Sequence, residues 1–416
     1  MLLKKLLLLL IATFLAFWYF LPQYNGVTKI VEEGDTNELP IKFYHKFYID
    51  QRYSPWRIRL FAMKPCGNHT IFGKAFYGFA KKAKTLQFLA RQTEKWCPYE
   101  WDMACFYNSF FYEAETSSEI PEYLELYIGN SRRVVQFTKS KIVGKSKKKG
   151  LTVIVAPLYF YSHPHNILLF FEILPWSGFG ELPKYIQNRY PEPDSSVCRN
   201  GQTLAQNIAV LETDTDLATS VDFDEILVSE NNLSADSRVR LEFAANPELA
   251  AAVFRHFFAV FQPKIENFEY SGVLTPMVLD RKKADKFIFN ASRVDNIDVH
   301  HVNTFIEDKF KAEILKNAAL LHYRHNGFQD NSTQIKLDVK IFANLSAFVN
   351  LQNLVSKIFG RPPKLRPKLN EDLDECFGKL EKIEECRSLV YFCKPAVMKW
   401  GEAWDFEKTP ANQIFL

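Results

Sequence analysis

The sequence lacks the signatures of several classes of protein. The formal net charge is only +4 at pH 7, and no basic stripe with interleaved aromatic residues occurs, so nucleic acid is not an expected partner. None of the seven cysteines has the paired CxxC spacing of a structural zinc site. Internal repeats are absent as well. A globular protein is expected, because 47% hydrophobic residues exclude general disorder and 416 residues allow two or three domains.

The N-terminal segment 1–21 has the pattern of a membrane anchor. Lys4 and Lys5 precede the apolar run Leu6–Leu21, which would span about 24 Å as a helix. The run ends in the aromatic cluster Phe17–Phe20, which suits a membrane interface and does not resemble a cleavage site. Because the lysines lie on the N-terminal side, we predict an uncleaved type II anchor with a luminal body. A cleavable signal peptide is the alternative.

Sequons and cysteines agree with a luminal body in the Golgi or elsewhere in the secretory pathway. In an oxidising lumen most of the seven cysteines should pair, leaving one over. Five sequons are present, which begin at Asn68, Asn232, Asn290, Asn331 and Asn344. The protein is therefore expected to be a membrane-anchored glycoprotein.

Strand patterns and composition divide the rest of the chain. Clear alternation in Tyr123–Ile128 and Arg133–Thr138 indicates strands, and we take them as part of a β-rich region. The lysine-rich stretch Lys139–Lys149 is expected to be a solvated linker, with a polyanion-binding patch as the alternative. The predicted segments after the anchor are a stem (22–40), a small β-rich accessory domain (41–139), a catalytic domain (151–360) and a charged, cysteine-containing C-terminal segment (361–416).

The pattern after residue 150 is that of alternating strands and helices. Leu151–Tyr161 is a continuous apolar run with β-branched residues, which predicts a parallel strand buried on both faces. The segments Asn166–Leu174, Gln202–Leu211 and Pro247–Phe261 have the pattern of apolar helices, and Leu217–Val221 reads as a second strand. This order indicates βαβ units. The expected fold class is therefore α/β, with a mainly parallel sheet flanked by helices.

Two carboxylates follow the second strand. Asp222 and Asp224 should leave the end of Leu217–Val221 pointing the same way, because strand side chains alternate with period 2. Two hard oxygen ligands at a strand end suit Mn²⁺ or Mg²⁺ bound to a diphosphate. The same spacing recurs at Asp214 with Asp216 and at Asp372 with Asp374, so spacing alone does not identify the site. Only the middle copy lies between apolar segments; the last one is expected on a solvated helix face.

Four segments, taken in order, resemble glycosyltransferase family 92. They are Leu151–Tyr159, the helix Gln202–Leu211 leading into Val221–Ile226, Lys286–His300 and Leu321–Arg324. The resemblance covers about residues 151–330 and is much more specific than any single segment. It implies a GT-A-like fold, a nucleotide-sugar donor such as UDP-galactose, inverting transfer onto a glycan or glycoprotein acceptor, and a divalent metal, usually Mn²⁺.

The same resemblance implies roles for individual residues. Asp222, Asp224 and His300 would hold the metal, and Asp222, Asp224 and Glu225 would be the catalytic carboxylates. Nucleotide contacts would come from Pro157, Tyr159, Asp222 and Arg324. The general base is not identified from the sequence, although Glu225 and Glu172 are candidates. Arg293 is a second candidate for contact with phosphate.

Two rival functions remain from the sequence. Only Ser177–Gly201 separates Trp176 from Gln202, where family members usually carry further strands and a helix. This short stretch favours the alternative of a catalytically inactive glycan-binding or scaffolding protein. A two-carboxylate glycoside hydrolase is the weaker rival, because Asp222, Asp224 and Glu225 are too close in sequence to flank a sugar from opposite sides.

Overall fold

A computed structural model gives the structure for parts of the chain. The residues it describes are 41–67, 71–78, 82–93, 97, 105–128, 133–145, 147–155, 201–222, 224–230, 233–260, 277–280, 284–324, 334–335, 372, 375, 376 and 379. The predicted anchor 1–21 and stem 22–40 lie outside these residues. Within them, no helix has both the length and the apolar character needed to span a bilayer.

The N-terminal sheet has eight strands in the spatial order β7-β6-β3-β4-β5-β2-β1-β8. All neighbouring pairs are antiparallel except β1 with β8. Strands predicted at Tyr123 and Arg133 are confirmed as β6 and β7. The bounds are β1 Lys42–Asp50, β2 Trp56–Lys64, β3 Ile71–Tyr77, β4 Lys82–Gln92, β5 Asn108–Thr116, β6 Tyr123–Ile128, β7 Arg133–Phe137 and β8 Ser140–Val143.

The second sheet carries the predicted carboxylates. Its main order is β11-β17-β12-β14-β10-β9, with β13 paired to β12 and to β18, while β15 and β16 form a separate hairpin. The elements are β9 Lys148–Val155, α1 Gln202–Glu212, β10 Thr215–Val221, β11 Glu225–Ser229, α2 Ala235–Ala245, β12 Leu249–Val260, β13 Met277–Asp280, β14 Lys286–Asn290, β15 Val294–Ile297, β16 Val302–Phe305, β17 Lys311–Arg324 and β18 Gln334–Ile335.

The predicted α/β fold with a mainly parallel sheet is wrong. Strands dominate the described residues, in which α1 and α2 are the two helices with defined bounds. In the second sheet β9 pairs in parallel with β10, and β12 with β17, but β14 runs antiparallel to both of its neighbours and β11 runs antiparallel to β17. The second sheet is therefore mixed, and the N-terminal sheet is mainly antiparallel.

The clearest local error is the segment predicted as an apolar helix at Pro247–Phe261. It forms β12, whose residues Leu249–Ala252 are all buried. Consecutive residues of β12 enter two different hydrophobic cores, Ala251 one and Ala252 the other, so both faces of the strand are covered and its sequence shows no alternation. A continuous apolar run does not distinguish a buried strand from a buried helix, and sheet pairing decided the outcome.

The stretch Lys139–Lys149, predicted as a linker, instead contributes β8 and the start of β9. Its lysines bind the end of α1: Lys141 donates to the Glu212 carboxylate at 3.0 Å and to the Glu212 carbonyl at 2.7 Å, and Lys147 donates to the Thr213 carbonyl at 2.6 Å. Cationic side chains at the C-terminal end of a helix satisfy its last carbonyl groups. These basic residues therefore fasten α1 and are structural.

Helix α1 packs between the two sheets. One side places Leu204, Ile208 and Leu211 against aromatic residues of the N-terminal sheet. The other places Ala209 and Val210 in the core that contains Ala218 of β10. Gly201 at its N-cap has φ 73°, a left-handed conformation that glycine adopts without strain. The prediction of a helix at Gln202–Leu211 is confirmed.

A buried ionic cluster also joins the N-terminal sheet to β15. The Arg59 guanidinium, 2% exposed, binds the carboxylates of Asp50 (3.2 Å), Glu113 (2.6 Å) and Asp295. Arg52 donates to the carbonyls of Ala291 and Val294, which flank the start of the β15–β16 hairpin. Burial would raise the pKa of Asp295, but the nearby guanidinium of Arg59 holds it at about 2.

Candidate active site

The turn that joins β10 to β11 presents two carboxylates. Residues Leu217–Val221 of β10 are buried, and the chain turns at Asp222 as the strand ends. The Glu225 N–H donates to the Asp222 carbonyl at 3.1 Å, and the Asp222 N–H donates to Glu225 Oε2 at 2.8 Å. These two bonds fix the backbone of the turn. The side chains of Asp222 and Asp224 keep 37% and 21% exposure, so solvent reaches both carboxylates.

A buried lysine lies beneath this turn. The Lys286 side chain, at the first residue of β14, is fully buried, with Nζ 3.4 Å from Asp222 Oδ2 and 3.3 Å from Glu225 Oε2. Burial alone would lower the pKa of Lys286, but the carboxylates of Asp222 and Glu225 raise it, so the ammonium stays charged. Lys286 therefore anchors the turn from the interior of the sheet.

The Glu225 carboxyl is buried and in contact with several charged groups. Burial and the Asp222 carboxylate raise its pKa to about 7, against the opposing effects of Lys286 and His322. Its side chain is only 1% exposed. A group buried to this degree cannot meet an acceptor hydroxyl in the described conformation. Glu225 therefore shapes the turn, whereas Asp222 and Asp224 are open to a ligand.

Two histidines extend the cluster into the sheet. His322 of β17 is the register partner of Glu225 on β11, and its Nε2 lies 3.1 Å from Asp224 Oδ2. Its Nδ1 lies 3.0 Å from Nε2 of His256, a residue of β12 with no exposed surface. The site therefore combines the turn after β10 with side chains from β12, β14 and β17.

The residues predicted from the sequence fall into three groups. Asp222, Asp224 and Glu225 lie at the turn after β10, and their catalytic and metal-binding roles stay predictions. His300 lies in the turn between β15 and β16, Arg324 is the last residue of β17, and their roles stay predictions. Pro157, Tyr159, Glu172 and the short stretch from Ser177 to Asn200 lie outside the described residues.

Arg293, the second candidate for phosphate contact, has structural partners. It donates to the Leu249 carbonyl at 2.6 Å, and its guanidinium lies 5.3 Å from the centre of the Phe310 ring. These contacts tie the turn after β14 to the start of β12. Arg293 therefore has a packing role. It follows the end of β14, whereas the carboxylate turn contacts Lys286 at the start of that strand.

The two look-alike carboxylate pairs differ from the middle one. Asp216 accepts from the Arg240 guanidinium and, at 2.8 Å, from the Gly150 N–H, and these bonds lower its pKa although burial opposes them. The Asp214 side chain is 75% exposed. In the C-terminal copy, Asp372 and Glu375 are helical, and Glu375 forms an exposed pair with Lys379 at 2.7 Å. Asp374 lies outside the described residues.

Sequence reasoning assigned no site role to Lys286, His256 or His322. Each is a polar residue next to a run of apolar residues in its strand, and that is the signal that identifies such residues. A buried lysine or histidine requires a partner, because a charged or polar group in the interior costs free energy unless it is paired. Which groups become partners depends on the pairing of β12 with β17 and on the position of the turn after β10 over the start of β14. Neither is visible in the sequence.

Comparison with known proteins identifies the region that contains this cluster. Residues 171–359 match the model of glycosyltransferase family 92. We call residues 171–359 the family 92 region, after this match. Every residue of the cluster, from Asp222 to His322, lies in it. No curated protein matches the chain.

The carboxylate turn carries donor atoms of the kinds that bind divalent cations, but in the described conformation they are not arranged as a metal site. Carboxylate oxygens with an imidazole nitrogen suit Mn²⁺ better than Mg²⁺, which prefers oxygen alone. The contact between Asp224 and His322 brings one atom of each kind together, and Asp222 adds a second carboxylate at the same turn. Within the part of the chain that the structure describes, no group of three or more His, Cys, Asp or Glu side chains is arranged to hold a metal ion.

Proposed function

We propose that the protein is a metal-dependent inverting glycosyltransferase that moves a sugar, galactose from UDP-galactose, onto a glycan. The observation that carries the proposal is the cluster of Asp222, Asp224 and His322 at the end of β10, within the family 92 region. It supplies accessible negative charge and an imidazole at one turn. A nucleotide diphosphate donor with its cation is the kind of ligand that this combination of groups binds.

The accessible carboxylates would bind the donor side of the reaction. Asp224, His322 and Asp222 would hold the cation only after rearranging, because their described arrangement does not form a metal site. A bound Mn²⁺ supplies a positive charge that stabilises the departing diphosphate. His322 replaces His300 in this proposal because the His322 ring lies beside Asp224. His300 was predicted from the family resemblance alone.

Buried groups would keep the accessible ones in place. Lys286 balances the charge of Asp222 and Glu225 from below, which keeps the turn closed when both carboxylates are ionised. Glu225 accepts from the Asp222 N–H and fixes the direction in which the Asp222 side chain leaves the backbone. We propose no general base, since Glu225 is enclosed and Asp222 and Asp224 are assigned to the donor.

We also propose that the family 92 region acts in the lumen of the secretory pathway. Cys66 and Cys97 form a disulfide with each other. Cys105 and Cys376 each take part in a disulfide as well. Disulfides persist in oxidising compartments and are rare in the cytosol. Protease added outside sealed microsomes should leave the body of the protein intact, and digestion of the body would contradict the luminal assignment.

The experiment that tests the function is transfer from a panel of UDP-sugars by the full-length purified protein, with Mn²⁺ and with a chelator. Metal-dependent transfer from UDP-galactose is the expected result. Binding of UDP without transfer to any acceptor glycan would favour the inactive glycan-binding alternative. Transfer that is unaffected by chelation would contradict the metal-dependent mechanism and leave the family assignment intact.

A further inference from the structure

The outward face of strands β3 and β6 carries aromatic side chains. Alternate residues of each strand point away from the core, and their inward neighbours belong to the main hydrophobic core of the N-terminal sheet. The strand register pairs Phe72 with Tyr127 and Phe76 with Tyr123. We call these four rings, which lie on one side of the described strands, the aromatic face.

The exposure of the aromatic face is unusual for an antiparallel sheet. When one face of such a sheet packs on a core, the outward residues are ordinarily polar. Phe72 is instead 53% exposed, and the other three rings are partly exposed. A single apolar residue at a surface needs no explanation, but a group of rings on one face indicates a binding surface.

Contacts within the aromatic face hold three of its rings in place. Phe76 and Tyr123 stack with 4.2 Å between their centroids and 10° between their planes. The Tyr127 hydroxyl donates to Glu125 Oε2 at 3.0 Å, and Lys74 Nζ lies 5.4 Å from the centre of the Tyr127 ring. Side chains that are already held lose little conformational entropy when a ligand binds, and this favours affinity.

Hydrogen-bonding groups lie between and beside the rings. Lys74 and Glu125 are register partners, and they separate the two pairs of rings along the strands. On β4, the exposed residues Thr85 and Gln87 lie opposite Lys74 and Phe72. The surface therefore combines ring faces with an ammonium, a carboxylate, a hydroxyl and an amide, which can both donate and accept hydrogen bonds.

This combination of groups matches the chemistry of a sugar. The C–H groups on one side of a pyranose ring pack against the negative face of an aromatic ring, while the hydroxyl groups at its edge need hydrogen-bond partners. A protein partner matches less well, because lysine and glutamate are depleted at the centres of protein interfaces. The Glu125 carboxylate balances the charge of Lys74, so the surface does not favour an anionic membrane or nucleic acid.

We propose that the aromatic face binds a neutral glycan. Phe72 and Phe76 are four residues apart on β3, about 13 Å along the strand, a length that an oligosaccharide spans and a single sugar does not. Sugar rings pack against the aromatic rings at both ends, and Lys74 and Glu125 bind hydroxyl groups between them. The site lies outside residues 171–359, and binding there requires neither a metal ion nor transfer of a sugar, so the inference does not rest on the proposed function.

An array of neutral mono-, di- and tetrasaccharides, built from hexoses and N-acetylhexosamines, provides the first measurement. The full-length protein, with a chelator present, should bind tetrasaccharides more tightly than monosaccharides. Calorimetry with a tetrasaccharide that binds then compares variants. Phe72→Ala should lower the affinity about tenfold or more, because it removes a ring that the glycan contacts. Phe72→Tyr keeps the ring and should retain the affinity within about twofold.

Two further variants provide controls. Ile142 is 47% exposed on β8, at the end of the N-terminal sheet opposite to β7. Ile142→Ala removes an exposed apolar side chain away from the aromatic face, so the affinity should stay within about twofold of wild type. Asp224→Asn should also keep the wild-type affinity for the tetrasaccharide, because Asp224 lies between β10 and β11 of the second sheet.

The outcomes separate this proposal from the proposed function. Wild-type protein that binds no oligosaccharide of the array would overturn the glycan site, as would unchanged affinity in Phe72→Ala or equal losses in Phe72→Ala and Ile142→Ala. A loss of affinity in Asp224→Asn would assign glycan binding to the carboxylate turn and also overturn it. Tetrasaccharide binding that needs the Phe72 ring would support the site even if the protein transferred no sugar, a result that would count against the proposed function alone.

Discussion

His322 Nε2 lies 3.1 Å from Asp224 Oδ2, although 98 residues separate the two in the chain. The contact exists because β17 pairs with β11, which begins one residue after Asp224. Strand pairing thus brings an imidazole to a carboxylate that the sequence places at the end of a different strand. The candidate site is a product of the sheet as a whole.

Replacing Lys286 with Met should destabilise the protein and disturb the turn. The substitution keeps the length of the side chain but leaves Asp222 and Glu225 as buried or half-buried carboxylates without their cation. Removal of one partner from a buried ion pair typically costs about 3–5 kcal/mol in the free energy of unfolding. Urea unfolding followed by circular dichroism measures this loss.

A double variant provides the control for Lys286. Adding Glu225→Gln to Lys286→Met removes the carboxylate that was left unpaired, so part of the lost stability should return. The exposed lysine at position 311, which pairs with Glu313 at 2.9 Å, gives a matched single substitution, Lys311→Met, which should leave the free energy of unfolding nearly unchanged. Additive losses in the double variant would show that Lys286 and Glu225 do not interact.

Replacing Arg59 with Met should weaken the link between the N-terminal sheet and β15 and lower the free energy of unfolding. The buried guanidinium serves three carboxylates, so its removal should cost about 3–5 kcal/mol or more. Arg57 is the matched control, since it binds the same Glu113 at 3.3 Å but is 28% exposed. Arg57→Met should cost about 1 kcal/mol or less. Equal losses in the two variants, compared by urea unfolding, would argue against a structural role for the cluster.

Asp295 should make the folded state sensitive to acid. Its folded pKa of about 2 is below the ordinary value of 3.8, so its contribution is fully present above pH 3.8 and is lost as the pH falls toward 2. The contribution is of the order of 2 kcal/mol. Asp295→Asn should therefore reduce the acid dependence of unfolding in this pH range, whereas the exposed Asp308→Asn should not. The same acid dependence in both variants would contradict the assignment.

The sequence predicted the local elements around the site better than the fold. The strand Leu217–Val221 and the helix from Gln202 were correct because each has a distinct pattern or a strong resemblance to the family. A parallel strand also includes Leu151, but the prediction that it is buried on both faces was wrong: β9 is at the end of the sheet order, and of its residues only Ile154 is buried. The parallel α/β architecture was wrong, since the run at Leu249–Val260 carries no periodicity that separates a strand from a helix when both faces are buried.

The site was predictable only in part for a similar reason. Asp222, Asp224 and Glu225 are neighbours in sequence, so their proximity needed no knowledge of the sheet. Lys286 and His322 reach them through the antiparallel pairs of β14 with β10 and of β11 with β17. Pairing over such distances depends on tertiary packing, which local sequence patterns do not encode.

The central claim is that Asp224 belongs to a metal-dependent transfer site. Asp224→Asn keeps the shape of the side chain but removes one negative charge from the proposed cation site. At 4 Å, one unit charge acting on a divalent ion is worth about 2 kcal/mol in water and about 8 kcal/mol at an effective dielectric near 20. A loss of even a few kcal/mol at the leaving diphosphate lowers the rate about a hundredfold or more.

The most direct measurement is the rate of sugar transfer from UDP-galactose with Mn²⁺, compared for Asp224→Asn, Asp214→Asn and wild type. Asp214 has the same sequence spacing but is 75% exposed, with a 3.5 Å pair to Lys141. The account predicts a loss of about a hundredfold for Asp224→Asn and a rate within about twofold of wild type for Asp214→Asn. An Asp224→Asn protein with an unchanged thermal unfolding midpoint and a normal rate of transfer would contradict it.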